Sequence, residues 1–232
     1  YEEALTDLDD AVSQYAKNAK DLGPIKAAAD KLFEAGQNAI SRKMYSLYTQ
    51  RLISSGLSDK ELKKAGDDFY KQGNLELAEN IYDVYIDKIS SSLTKDKVSA
   101  ILIDIAKMFV YNDAGLNDPS YAEKLFQRAE SLGGEGIFDE HLLYVRAFNL
   151  EKAKEYSSAR DRYIVLINRF PSGLHFDEAV FKVGILYAYT GRDIKNAKIY
   201  FEKISSQEKI TPQVISSIYQ LGLLNQWEEN FD

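Results

Sequence analysis

The chain contains no cysteine, and only two histidines, two methionines and four prolines among its 232 residues. Without cysteine there can be no disulfide bond, thiol catalysis or cysteine-ligated metal. No apolar run approaches the roughly 18 residues that a membrane-spanning helix needs, so we expect no direct membrane insertion by this segment. Long runs of one charge are also missing, and the formal net charge is −7. Nucleic acids and anionic membranes require basic stripes, so neither is expected as a partner.

The chain is instead rich in one repeated pair, a small residue followed four positions later by an aromatic one. The small residues are separated by 37, 44, 37 and 38 positions. Residues four apart share one face of an α-helix, where a small side chain lets two helices approach and a ring fills the space beside it. The five pairs are Ser41/Tyr45, Ala78/Tyr82, Ala122/Phe126, Ala159/Tyr163 and Ala197/Phe201.

A second small residue lies 12 to 16 positions before each pair, which predicts two helices, A and B, in every unit. The four prolines fit this arrangement, since each can stand at a helix start or after a helix end. No stretch shows the sustained apolar–polar alternation of strands. The sequence therefore predicts an all-α fold. The A-helix small residues are Ala29, Gly66, Ala106, Ala147, Gly184 and, as a sixth, Gly222.

This pattern resembles the tetratricopeptide repeat family, in which both helices carry central small residues and helix B carries an aromatic. The resemblance covers about residues 24–226, although the period exceeds the family's usual roughly 34 residues. It implies a right-handed superhelical α-solenoid of about five helical hairpins plus flanking helices, about twelve helices in all. The residues that carry it most clearly are Leu62, Ala65, Gly66, Phe69, Ala78 and Tyr82, and then Leu143, Ala147, Leu150, Ala159, Tyr163 and Pro171.

We predict one solenoid over residues 1–232. The leading segment fits either the B helix of an earlier repeat or a coiled-coil seam. Because the pattern is incomplete at both ends, we expect the chain to be a piece of a longer protein or its ends to meet a partner. The predicted parts are a leading helix at 1–22, repeats at 24–55, 59–91, 96–132, 139–170 and 174–206, and a terminal helix at 211–229.

The segment 162–204 is similar to repeats of BamD-type outer-membrane assembly lipoproteins and of TolA-binding periplasmic proteins. The similarity lies in the Phe170-Pro171-x-Gly173 turn and in the later Ala197-x3-Phe201 pair. It implies a periplasmic or cell-envelope location, and a cytoplasmic location is the alternative.

No residue set points to catalysis. His141 and His175 are predicted near the start of an A helix and in a turn, without a carboxylate at ligand spacing, and we interpret them as solvated turn residues. Adjacent carboxylates such as Asp67 and Asp68 diverge around a helix and do not converge as an acid–base pair would. We therefore expect a non-enzymatic protein with no cofactor and no metal.

The resemblance implies that A-helix positions three before and one after the small residue line a concave groove. These positions are charged in the second repeat, at Lys63 and Asp67, and apolar in the last three A helices. Contiguous exposed apolar side chains usually mark a binding site, here for a peptide or helix of a partner protein. Core packing and a dimer contact are alternatives. The candidate residues are Tyr144, Phe148, Phe181, Ile185, Tyr219 and Leu223.

Two functions follow from this sequence. The first is a protein–protein interaction scaffold that holds a partner segment in the groove, and the resemblance of segment 162–204 implies a role in assembly of the cell envelope. The second is a helical accessory or positioning domain of a larger enzyme or transport complex. The oligomeric state stays open.

Overall fold

The computed structural model of the chain describes Gln14 and residues 22–112, 115–208 and 210–229. Over these ranges the chain forms eleven α-helices and no strand, so the predicted all-α repeat class is confirmed there. The predicted leading helix lies outside the described residues, apart from Gln14 and Leu22. The helices are α1 (Gly23–Glu34), α2 (Asn38–Ser54), α3 (Asp59–Lys71), α4 (Leu75–Ser90), α5 (Lys95–Phe109), α6 (Pro119–Gly133), α7 (Glu140–Lys152), α8 (Tyr156–Arg169), α9 (Phe176–Ile185), α10 (Ile194–Ser205) and α11 (Pro212–Glu229).

The helices pair along the chain as antiparallel hairpins, and the chain divides into two compact units between Thr94 and Lys95. The first unit contains the hairpins α1/α2 and α3/α4. The second contains α5/α6, α7/α8 and α9/α10, and α11 packs against α10. The bounds of the five predicted repeats stay a prediction. The single solenoid over residues 1–232 stays a prediction.

Sequence signals set several helix ends. Ser58 and Glu61 form a reciprocal capping box at the start of α3. Prolines stand in the first turn of α1, α6 and α11, where a missing N–H costs no helical hydrogen bond. Helix α9 ends at Ile185 and continues directly into one turn of π-helix, Leu186–Thr190.

The repeated small–aromatic pairs form the contacts between the two helices of each hairpin. All five small residues are 0% exposed, and the five rings are at most 2% exposed. Two of these rings pack closely against a glycine of the A helix, with no space for a larger residue. A Cβ added at Gly66 would lie 2.8 Å from the Tyr82 ring, and one at Gly184 would lie 2.6 Å from the Phe201 ring. Glycine is therefore needed at these two positions for the rings to pack.

The sixth A-helix position is not covered in this way. Gly222 stands on α11 where Gly66 and Gly184 stand on their helices, yet a Cβ added there would meet no described atom within 4 Å. Four residues earlier, Ile218 is 56% exposed, whereas the equivalent Leu62 is 3% exposed. Among the described residues, no helix covers this face of α11.

This contrast predicts opposite effects for the same substitution at two equivalent glycines. Gly184→Ala is expected to destabilise the protein by about 1–3 kcal/mol, because the new methyl group overpacks against the buried Phe201 ring. Gly222→Ala is expected to stabilise it by roughly 0.5–1 kcal/mol, because alanine is the better helix former and has space. Urea unfolding of both variants checks the pair. Equal effects would contradict the difference in packing.

Candidate functional site

In the first unit, the A-helix positions three before and one after the small residue carry a lysine and an aspartate. A tyrosine of the B helix completes a repeated trio. Lys63 Nζ lies 2.9 Å from Asp67 Oδ2, and Tyr82 Oη donates to Asp67 Oδ1 at 2.6 Å. One repeat earlier, Lys26, Asp30 and Tyr45 form the same contacts. Each B-helix ring is thereby bonded to the A helix of its own hairpin, and the aspartate is neutralised by a lysine one turn away.

The bonding fixes the protonation state of these phenols. Burial raises the pKa of Tyr45 and Tyr82, and the hydrogen bond to the neighbouring aspartate with its negative charge raises both further. Both hydroxyls therefore remain protonated donors at physiological pH. They hold the hairpins together and are not available as bases.

On α7, in the second unit, two rings replace the charged pair at the equivalent positions. Tyr144 and Phe148, one turn apart on α7, stack with ring centroids 6.3 Å apart and planes 13° apart. Tyr111, from the turn after α5, meets Phe148 edge-on at 6.0 Å. Tyr144 and Phe148 are half-buried, and Tyr111 is exposed. The three rings form one partly open aromatic surface.

Two lysines border this surface, and together with the three rings we call them the aromatic–lysine cluster. Lys152 Nζ lies 4.9 Å from the centroid of Tyr111 and 5.1 Å from that of Phe148. Lys182 Nζ, from α9, lies 5.5 Å from the Phe148 centroid. Ammonium groups within about 6 Å of a ring face are attracted to its electrons. The cluster thus offers ring faces to apolar groups and cations to carboxylates.

A carboxylate behind the cluster fixes one of these lysines. Glu151 Oε1 lies 2.8 Å from Lys182 Nζ, and Glu151 Oε2 accepts a hydrogen bond from Tyr163 Oη at 3.0 Å. Tyr144 Oη donates to Glu178 Oε1 on α9 at 2.5 Å. Bonds from α7 to α8 and α9 therefore hold the rings and Lys182 in place, which lowers the entropy cost of binding at this surface.

The six predicted groove residues fall into three groups. Tyr144 and Phe148 lie together in the aromatic–lysine cluster. Phe181 and Ile185 are half-buried against a hydrophobic cluster of α9, α10 and α11, where the Phe181 ring lies 5.7 Å from that of Phe201. On α11, Tyr219 is exposed and Leu223 is half-buried. Phe181 and Ile185 thus support packing, and the use of the six residues as a binding groove stays a prediction.

Sequence reasoning missed Tyr111, Lys152 and Lys182 as neighbours of Phe148. Tyr111 lies in a turn outside the repeat pattern, so no helical spacing identifies it. Lys152 is four residues after Phe148, a spacing that places both on one helix face and could have found it. Lys182 comes from the next repeat, and its approach depends on how consecutive hairpins pack.

His141 is exposed at the start of α7 and His175 lies in the turn before α9, where the sequence predicted them, but their contact with each other was not predicted. His141 Nδ1 and His175 Nε2 lie 3.2 Å apart. The His175 ring stacks on Tyr144 with centroids 4.3 Å apart, and the His175 N–H donates to Glu140 Oε1 at 2.5 Å. Their spacing of 34 residues is close to one repeat, so both stand near the start of an A helix, in consecutive hairpins that pack together.

Two kinds of feature, a membrane-spanning helix and a cluster of metal ligands, are absent from the described residues. No helix there combines the length and the apolar character needed to cross a membrane. Across the same residues, no group of three or more histidine, cysteine, aspartate or glutamate side chains is arranged to hold a metal ion.

No family model matches the chain, and no curated protein matches it. Among solved structures, it is similar to the C-terminal part of a TPR repeat-containing protein from Cytophaga hutchinsonii. The two share 14% identity, the match covers 94% of this chain and 76% of that one, and the TM-score is 0.38. The features of this chain that resemble tetratricopeptide repeats are its helical hairpins and the buried small–aromatic pairs between their helices.

Proposed function

We propose that this chain is a non-enzymatic protein–protein interaction scaffold that binds a peptide or helix of a partner protein at the aromatic–lysine cluster. The observation that carries the proposal is the partly open surface of Tyr111, Tyr144 and Phe148 with Lys152 and Lys182 at its border. Aromatic side chains are favoured anchors at interfaces, and a rim of charged groups adds specificity. Stacked helical hairpins use such surfaces to bind extended partners.

The chemistry of the cluster defines the partner segment. Ring faces can contact an aliphatic or aromatic side chain of the partner, and carboxylates beside it can accept hydrogen bonds from the ammonium groups of Lys152 and of Lys182, the second of which is already paired with Glu151. A segment with an apolar anchor flanked by acidic residues satisfies both. Tyr219 and Leu223 on α11 are further predicted contacts of the same partner.

The test uses two tyrosines of matched exposure. Tyr111 belongs to the cluster and is 39% exposed, whereas Tyr156 at the start of α8 is 38% exposed and lies outside it. A photo-crosslinking amino acid placed at each position, in cells, captures whatever contacts that position. We expect a defined protein adduct from position 111, and mass spectrometry identifies the crosslinked segment.

The identified segment is then titrated as a synthetic peptide. Tyr111→Glu is expected to weaken binding by about tenfold or more, since truncating an interface anchor costs about 2 kcal/mol. Tyr156→Glu is expected to leave the affinity unchanged, and both variants should keep the melting temperature of the parent. Equal adducts from both positions, or equal affinities of the two variants, would contradict the proposed site.

We further propose a periplasmic or cell-envelope location, supported by the similarity of segment 162–204 to envelope repeats. Fractionation of the native host followed by immunoblotting checks it. Recovery in the cytoplasmic fraction alone would contradict an envelope role and leave the binding site untouched.

A further inference from the structure

We propose that His141 and His175 form a two-imidazole site for a divalent transition metal such as Zn²⁺, which joins α7 to the turn between α8 and α9. The site lies within the second unit, where it connects the fourth and fifth repeats. This inference does not depend on the proposed partner binding.

The distance between the two nitrogens suits such an ion. Nδ1 of His141 and Nε2 of His175 lie 3.2 Å apart. An ion at about 2.0–2.1 Å from each nitrogen, the usual Zn–N distance, would subtend an N–Zn–N angle of about 100°, close to the tetrahedral value. Without metal, one imidazole shares a proton with the other. Metal binding moves that proton to the other nitrogen of the same ring, so both imidazoles stay neutral and both facing nitrogens act as lone-pair donors.

The surroundings hold the His175 ring, one of the two ligands, in position before any ion binds. Tyr144 stacks on His175 with planes 12° apart, which fixes the ring on one face. Glu140 Oε1 accepts the His175 backbone N–H and thereby ties the turn to the start of α7. A site whose ligands are already oriented loses less entropy on metal binding.

Access and charge also favour a cation. His141 is exposed and His175 is half-buried, so an ion can enter from solvent. Two carboxylates lie near the site, because Glu140 accepts from the His175 backbone N–H and Glu178 accepts from the hydroxyl of Tyr144, whose ring stacks on His175. No third histidine, cysteine or carboxylate completes a protein cage in the described residues. Water therefore supplies the remaining ligands, and imidazole donors select zinc, copper or nickel over magnesium or calcium.

The chain offers a sharp test because these are its only histidines and it has no cysteine. Calorimetric titration of tag-free protein with ZnCl₂ is expected to show one site per chain. His141→Ala and His175→Ala should each weaken binding by at least about tenfold, since even outer-shell changes commonly cost that much. Circular dichroism with a chelator present should show unchanged helicity in both variants.

Copper provides an independent count of the ligands. Electron paramagnetic resonance of the Cu²⁺-loaded protein should show two coordinating nitrogens in the parent and one in each single variant. Zn²⁺ should also raise the melting temperature of the parent and not that of the double variant. Absence of binding by the parent at millimolar Zn²⁺, or equal binding by the double variant, would overturn the proposal.

Discussion

Replacement of Arg146 by alanine is expected to destabilise the protein by about 3–5 kcal/mol, the cost of removing one partner from a buried ion pair. The Arg146 side chain on α7 is fully buried. Its Nε and Nη2 donate to the two carboxylate oxygens of Glu123 at 2.9 and 2.6 Å, and its Nη1 donates to Glu130 at 3.0 Å. Arg146→Ala leaves Glu123 and Glu130 of α6 without this partner, although both side chains are largely buried.

The ion pairs of Arg146 with Glu123 and Glu130 outweigh the effect of burial on its pKa. Burial lowers the pKa of the Arg146 guanidinium, but the hydrogen bonds and charges of Glu123 and Glu130 outweigh burial and raise the pKa overall. The guanidinium also lies 5.9 Å from the Phe126 ring and 5.1 Å from the Phe138 ring. Arg146 is therefore both a charge partner and a packing element between the third and fourth repeats.

Urea unfolding measures the effect, and two variants separate charge from packing. Arg146→Met keeps much of the volume but leaves Glu123 without its arginine, whereas Glu130 keeps its ion pair with Arg162. Adding Glu123→Gln to it should therefore recover part of the loss. Lys107→Ala removes one partner of the exposed Lys107–Asp104 pair and should cost less than about 1 kcal/mol. If Arg146→Ala cost no more than Lys107→Ala, the buried network would have no stabilising role.

The repeat architecture could be predicted from the sequence because it depends on local spacing. A small residue four positions before a ring, as at Ala159 and Tyr163, already specifies which helix face is buried and how closely the next helix can approach. The same local logic placed Tyr144 and Phe148 side by side. Helix ends followed from capping residues and prolines for the same reason.

Contacts between consecutive repeats could not be predicted in this way. Arg146 bonds residues 23 and 16 positions earlier in the chain, and Lys182 bonds Glu151, 31 positions earlier. Which side chains meet across such distances depends on the angle between hairpins, and the sequence gives no direct measure of that angle. The burial of Arg146 and the meeting of His141 with His175 both belong to this class.

Phe201→Ala is expected to cost about 3–5 kcal/mol, through lost burial and the cavity left behind. The Phe201 ring on α10 is fully buried over Gly184, and it packs against Phe181 and Leu224. Glycine opposite the ring leaves no side chain that could move into the space. Urea unfolding checks the value, with Ile199→Ala on the exposed face of the same helix as the control, expected within about 0.5 kcal/mol of the parent.

A double variant tests the physical cause of that loss. In the parent, Gly184→Ala forces a methyl group against the ring, and in the Phe201→Ala background the same methyl group enters an empty space. Gly184→Ala should therefore change from destabilising to neutral or stabilising once the ring is gone, a coupling of about 1–3 kcal/mol between the two positions. Additive effects would mean that the Phe201 ring does not pack against Gly184. The assignment of small residues as the points of close contact between helices would then be wrong at this hairpin.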